Sequence, residues 1–252
     1  MEYVPPIFVI NLDRSAERLK LCEYRLKNVG FHFERITAVN GAELSTDELS
    51  QHYCKKQNQE SYYKELTLGE VGCYLSHRKV WQKIVDTGIE YAIILEDDFF
   101  LMGDIEQTIK TLNKIEFDWD YIKLSGYKNR SREIAFRKKV NDMELVLFDK
   151  AMAGTCAQAV SLKGAKKLLT TSTSFGRPVD TDIQHWWEKD VELFALLPYL
   201  FAPDMELESE IAKIQPKKKQ NKQYFWKRKW QQLKFMHKNK LERKRLIERL
   251  SC

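Results

Sequence analysis

The chain has 252 residues and a mass of 29.9 kDa, with 43% hydrophobic and 12% aromatic residues and a formal net charge of +6. A chain this apolar can bury one sizeable core or two small ones, which excludes intrinsic disorder. No apolar run approaches the roughly 18 residues of a membrane span, and the start MEYVPPIFVINLDRS lacks the charged-then-apolar layout of a secretory signal, so the expected location is the cytoplasm.

In chain order, YVPPIFVIN carries a short apolar run ending at Asn11, which predicts a strand. RSAERLKLCEYRLKNVG then sets Ala16, Leu19, Cys22 and Leu26 near helical spacing and stops at Gly30. FHFERITAV predicts a second strand before the Asn40-Gly41 turn, and a polar, poorly patterned stretch runs to about residue 65. Thr67 and Glu70 have the spacing of a capping box, and Val71, Tyr74, Leu75, Trp81 and Ile84 continue a helical apolar stripe. YAIIL predicts a strand, Asp104 opens a helix, and YIKLS, ELVLF and CAQAV predict further strands before the helix KGAKKLLTT. This alternation argues for an α/β fold with a largely parallel central sheet, mixed with antiparallel pieces in the second half. In such sheets ligands bind beyond the carboxyl ends of strands, where the strand order switches.

Charge divides the chain. Lys213 to Cys252 holds fifteen Lys or Arg against two Glu, a net +13 that leaves −7 on the rest. The boundary therefore falls between a body, 1–212, and a basic tail, 213–252, introduced by QPKKKQNKQ, a linker or solvated arm. From Phe225 onward Trp226, Trp230, Leu233, His237 and Leu241 recur every three or four residues among basic side chains, with Phe235 and Leu246 off the stripe. Such a helix suits an anionic membrane surface; the other possibility is a solvated helix that packs Trp226 and Trp230 on the body. Nucleic acid is not an expected partner, because no nucleic-acid module accompanies the tail. The five cysteines, Cys22, Cys54, Cys73, Cys156 and Cys252, are scattered without a CxxC pair and predict buried thiols rather than disulfides or zinc.

The strand at 91–95 ends in Glu96, Asp97 and Asp98. If the chain stays extended, Glu96 and Asp98 share one face, with Cα atoms about 6.5 to 7 Å apart, and Asp97 takes the other. Two carboxylates on one side can hold a divalent cation and leave positions for phosphate oxygens; an ordinary acidic turn is the competing reading. Ser76 and His77 interrupt a buried stripe and need partners, so His77 is either a satisfied core histidine or a ligand contact.

Five segments, FVINLDRSAERL, LTLGEVGCYLSHRKVW, AIILEDDF, GTCAQAVSLKGAKKLL and PVDTDI, in this order and at these distances, resemble glycosyltransferase family 25. These are bacterial lipooligosaccharide and lipopolysaccharide galactosyltransferases, similar also to the collagen galactosyltransferase domain. The resemblance covers roughly residues 5 to 212. It implies a GT-A-like, Rossmann-type nucleotide-sugar fold with a mixed central sheet, UDP-galactose as donor, and Mn²⁺ or Mg²⁺. It also implies inversion to a β-linked product, β-1,4 by family weight, on a glycolipid acceptor at the cytoplasmic face of the inner membrane.

By this resemblance Glu96-Asp97-Asp98 stands at the acidic metal motif. Asp98 is the first-choice ligand and Glu96 the second, while Asp97 could reach ribose or sugar hydroxyls. Asn11, Leu12, Arg14, Arg18, Glu70 and His77 would border the donor, with Arg14 and Arg18 gripping phosphate or else sitting solvated at a helix start. Asp180, at the acid of the PVD motif, is the expected base toward the acceptor hydroxyl, with a helix N-cap as its other reading. Asp182 would steady the site or bind sugar, and Trp186 and Trp187 would stack on a sugar or, more commonly, fill core. In ELESEIAK, Glu208 would add a metal ligand and Ser209 would close over the diphosphate. A metal-dependent phosphoesterase and a non-catalytic glycan- or nucleic-acid-binding protein are the other classes compatible with the sequence.

Overall fold

The computed structural model describes residues 2–127, 132–204 and 222–250. Its strands are β1 (Ile7–Asn11), β2 (Glu34–Thr37), β3 (Tyr91–Glu96), β4 (Phe99–Leu101), β5 (Tyr121–Lys123), β6 (Ile134–Val140), β7 (Met143–Phe148), β8 (Ala157–Ser161), β9 (Leu193–Leu197) and β10 (Phe201–Pro203). Its α-helices are α1 (Ala16–Lys27), α2 (Thr46–His52), α3 (Lys55–Ser61), α4 (Leu68–Thr87), α5 (Ile105–Leu112), α6 (Leu162–Thr171), α7 (Val179–Gln184) and α8 (Lys222–Leu250).

Eight strands form one sheet in the order β2-β1-β3-β8-β5-β9-β7-β6, and β10 pairs with β4 in a separate ribbon. The expected α/β class and mixed sheet are present, but the sheet is not largely parallel. Only β1/β2, β1/β3 and β5/β9 run parallel. β8 enters between β3 and β5 antiparallel to both, and the β6–β7 hairpin adds an antiparallel edge. That hairpin turns at Asn141, whose φ of 52° is the left-handed conformation a tight two-residue turn needs.

β1 and β3 are buried almost throughout because helices cover both sheet faces. Alternate β1 side chains separate the two layers. Phe8 lies under Lys83 of α4, whereas Asn11 turns toward Ser15 at the start of α1. The predicted capping box is formed, with Thr67 Oγ1 accepting from Glu70 N and Glu70 Oε2 accepting from Thr67 N, and α4 ends at Gly88 in the left-handed region.

The first turns of α4 lie directly on the backbone that follows β2. A Cβ added at Gly72 would stand 2.5 Å from Val39 O and 2.7 Å from Gly41 N, both main-chain atoms that cannot swing aside. Gly72→Ala is therefore expected to cost about 2 to 3 kcal/mol, read as a lowered midpoint in urea. An unchanged midpoint would show that this contact can relax without loss.

α8 packs on the body through residues off the predicted stripe. Phe235, Asn239 and Leu246 are buried, whereas Trp226, Trp230 and Leu233 point outward, so packing of the two tryptophans on the body is not realised. Among the described residues no helix is long and apolar enough to cross a membrane. The 212/213 boundary itself lies outside the described residues.

Candidate active site

From β1 the chain passes to β2 on one side and then returns to β3 on the other, which makes the carboxyl ends of these strands a topological switch point. Register fixes what meets there. Ile10 is opposite Glu96, and Asn11 is opposite Thr37. A cleft opens at this edge, lined by Ile10, Leu12, Arg14 and Arg18, by Ala38 to Asn40 after β2, by Gly69, Cys73, Ser76 and His77 of α4, and by all three acids.

The chain turns at Asp97 and Asp98 instead of remaining extended, and Asp97 and Glu96 lie on opposite sides. Asp97 is held on the α1 side, its oxygens accepting from Asn11 Nδ2 at 2.8 Å and Arg18 Nη1 at 2.9 Å. Burial pushes its carboxyl above the ordinary value, and these two donors only partly oppose it. Glu96 lies on the α4 side. Its Oε1 accepts from His77 Nε2 at 2.9 Å and Thr155 Oγ1 at 2.5 Å, with Cys73 Sγ at 3.8 Å. Burial works against its ionised form, but the hydrogen bonds from His77 and Thr155 prevail and hold its carboxyl below the ordinary value.

Asp98 has no such support. Its Oδ1 is buried without a hydrogen-bond partner. Burial first, then the charges of Glu96 and Asp97, push its pKa up to about 7. A carboxylate aimed into a cleft with an orphaned oxygen and two acidic neighbours is a site that a cation would relieve.

His77 and Glu96 are set by a buried chain of side chains. Tyr121 OH donates to Gln158 Oε1 at 2.5 Å, and Gln158 Nε2 faces His77 Nδ1 at 3.2 Å. Nδ1 is therefore the acceptor, and the ring proton sits on Nε2, directed at Glu96. Cys73, His77 and Glu96 bring donor atoms within 4.8 Å of one another, a grouping that could hold a metal ion. With its proton aimed at Glu96, His77 Nε2 has no lone pair to offer there, and the three form a hydrogen-bonded cluster. Asp98 and the second oxygen of Glu96 are hard oxygen donors of the kind that Mn²⁺ or Mg²⁺ prefers.

The loop before β8 links these acids to Asp180. Thr155 holds Glu96, while its neighbour Gly154, at φ +83°, donates its N–H to Asp180 Oδ2 at 3.1 Å. Lys123, buried at the end of β5, donates to the Gly154 carbonyl. Burial lowers the Lys123 pKa to about 8, against the opposing pull of Asp180 and then Glu96. Asp180 is the second residue of α7, whose N-cap is Pro178, so the N-cap alternative is not realised.

Other expected site residues have structural partners. Asn11 is buried and shared among Asp97, Ser15 O and Arg35. Glu70 is occupied by its cap and by Lys64 at 2.9 Å. Asp182 joins Arg177 at 3.0 Å, Lys189 at 2.6 Å and Tyr74 OH at 2.6 Å, which ties α7 to α4. Trp186 and Trp187 pack edge to face beneath α8. Glu208 and Ser209 lie outside the described residues. Sequence reasoning missed Lys123, Thr155, Gln158 and Tyr121. Lys123 and Gln158 did carry a signal, each being a polar residue inside an apolar strand run and hence in need of a buried partner.

A family model described as glycosyltransferase family 25 (LPS biosynthesis protein) matches residues 4–183. A glycosyltransferase 25 family member of Drosophila pseudoobscura pseudoobscura is 29% identical over 171 residues, which are 65% of this chain and 26% of the relative. Procollagen galactosyltransferase 1 of Danio rerio is 26% identical over 218 residues, 78% of this chain and 36% of the relative. A Bos taurus relative named probable inactive glycosyltransferase 25 family member 3 is 28% identical over 231 residues, 78% of this chain and 36% of the relative. The chain thus spans about a quarter to a third of the length of these curated relatives. Among solved structures, a mutant Drosophila β-1,4-galactosyltransferase 7 in complex with manganese, UDP-Gal and xylobiose aligns at TM-score 0.39 and 11% identity, over 88% of this chain and 79% of that one.

Proposed function

The chain belongs to glycosyltransferase family 25, and we propose that it is a metal-dependent, inverting galactosyltransferase with a GT-A-like donor domain. It would move galactose from UDP-galactose to a sugar hydroxyl of a lipooligosaccharide or lipopolysaccharide, with a β-1,4 linkage as the expected product. The basic tail would meet the anionic cytoplasmic face of the membrane that carries this acceptor. Galactose as the transferred sugar is supported by relatives named procollagen galactosyltransferase. The observation that carries the metal dependence is the buried, unpartnered oxygen of Asp98 at the switch point.

Each step asks something of a named residue. Leu12 and Ile10 offer an apolar wall for a nucleobase, and Arg14 can take a donor phosphate at the same edge. Asp98 and Glu96 would hold Mn²⁺ or Mg²⁺, which when bound neutralises charge on the leaving diphosphate as a Lewis acid. His77 and Thr155 both engage Glu96 Oε1, which leaves Oε2 as the oxygen that would reach the ion. Asp180 keeps carboxylate lone pairs beyond those used by Gly154 and Thr181 and can accept the proton of the acceptor hydroxyl. Inversion then follows from attack opposite the departing UDP.

UDP release measured over a panel of UDP-sugars, with a glucose- or N-acetylglucosamine-ended acceptor and with Mn²⁺ or EDTA, tests this function. UDP-galactose is expected to be turned over fastest, with loss of turnover in EDTA. Undiminished turnover in EDTA would reject the metal assignment. Donor binding without turnover on any acceptor would favour a non-catalytic role like that implied by the name of the Bos taurus relative.

A further inference from the structure

α8 has two faces of different character. On the inner face, Phe235 packs on the rings of His185 and Trp187, with centroids 4.8 and 5.3 Å apart. Asn239 accepts from Trp186 Nε1 at 3.3 Å and, with Arg243, donates to the Asp149 carbonyl. Leu246 completes the buried ridge. On the outer face Trp226, Trp230, Leu233 and Leu241 remain 73%, 61%, 61% and 45% exposed. At 3.6 residues per turn these four fall within an arc of about 80°, roughly opposite Phe235.

The outer stripe is bordered by cations. Residues 222–250 hold eleven Lys or Arg against two Glu. Lys234 Nζ stands 5.2 Å from the Trp230 ring centroid, so a lysine stem and an indole lie side by side on this surface. Indole rings with a polar N–H favour the boundary between hydrocarbon and water, and lysines beside them can reach lipid phosphates. Charge selects the occupant: a second copy of so basic a helix would be repelled, whereas an anionic surface is attracted.

We propose that the outer face of α8 is a docking surface for an anionic bilayer, with Trp226, Trp230 and Leu233 entering the interface and the flanking lysines meeting lipid phosphates. The inner contacts then fix which side of the body faces the lipid. His185, Trp186 and Trp187 directly follow α7, which carries Asp180, and Asp149 opens the loop whose Gly154 holds that acid. The bilayer accordingly lies along the Asp180 wall. This consequence rests on the transferase reading with a lipid-linked acceptor; the docking itself does not.

The test is partition of the full chain onto vesicles of phosphatidylglycerol mixed with phosphatidylcholine, without donor or acceptor. Binding is expected to exceed that to pure phosphatidylcholine by about tenfold or more, and to weaken with added salt. Trp226→Ser combined with Trp230→Ser is expected to lower it about tenfold with helical content unchanged. Three results would overturn the proposal: equal binding by the double variant, salt-sensitive binding to DNA or RNA with none to vesicles, or a homodimer that the double variant dissociates. Because no sugar transfer is measured, loss of the transferase reading would leave the vesicle result intact, and the reverse holds too.

Discussion

Asp98→Asn is expected to lower Mn²⁺-supported UDP release about 10³-fold, the scale of several kcal/mol of charge stabilisation at the leaving group. The same substitution is expected to make the metal-free protein more stable. Asp98 is pushed up to about 7 by burial and by its acidic neighbours, so the folded state retains a proton that the unfolded chain has released. Stability of the metal-free wild type therefore falls as pH rises from about 4 to about 7 and stays reduced above that range. Asparagine carries no charge to bury, and at pH 8 the variant should gain on the order of 2 kcal/mol, after allowance for the carboxyl being only partly buried.

The two effects are separable by thermal unfolding with and without Mn²⁺. A divalent ion bound to the folded state alone raises the midpoint of the wild type by mass action, and the variant should show little of that rise. An equal Mn²⁺ effect on both proteins would move the metal elsewhere. A destabilised variant would mean that Asp98 is already compensated without an ion.

Asp180→Asn is expected to reduce kcat by 10² to 10⁴-fold, the range for loss of a positioned general base, while calorimetric affinity for UDP-galactose changes by less than about threefold. The amide oxygen can still accept the Gly154 N–H and keep the loop anchored, while the NH₂ that replaces the other oxygen gives up the local bond from Thr181 N together with proton acceptance. Asp182 offers the contrast. Two residues further on, it compensates Arg177 and Lys189 in a buried position, so Asp182→Ala should cost about 3 to 5 kcal/mol of stability by removing their shared buried carboxylate, which leaves Arg177 only Glu188 and Lys189 only the Thr171 carbonyl. If Asp180→Asn weakens donor affinity with kcat unchanged, the acid contacts the donor and the base lies elsewhere.

Much of the first half of the fold was legible because its signals are local. The apolar runs at 7–11 and 91–95, the Thr67–Glu70 cap and the stripe of α4 need no distant partner to declare themselves, and all appear as expected. β6 and β9 were missed. β6 is an edge strand with Arg137 and Lys139 exposed, so it lacks an apolar run, and β9 follows a helix-like aromatic segment that masked its start. α2 and α3 were missed because they are polar and bury little, although Ser45 and Glu48 form a second capping box.

Within the site, composition marked the acidic trio as candidates, and Asp180 was singled out by the resemblance of its PVD motif to the family. Their differences came from contacts far apart in the chain. Glu96 is satisfied by His77 and Thr155 and Asp97 by Asn11 and Arg18, whereas Asp98 keeps one buried oxygen without a hydrogen-bond partner, although the three are adjacent. Asp180 and Asp182 share one helical turn, yet one faces the Gly154 loop and the other an Arg-Lys pair. Residue type and strand periodicity depend only on neighbours along the chain, so sequence determines which groups can ionise and roughly where they stand. Whether each charge is paired, orphaned or shielded depends on desolvation and on partners supplied by other strands, and that only the tertiary structure decides.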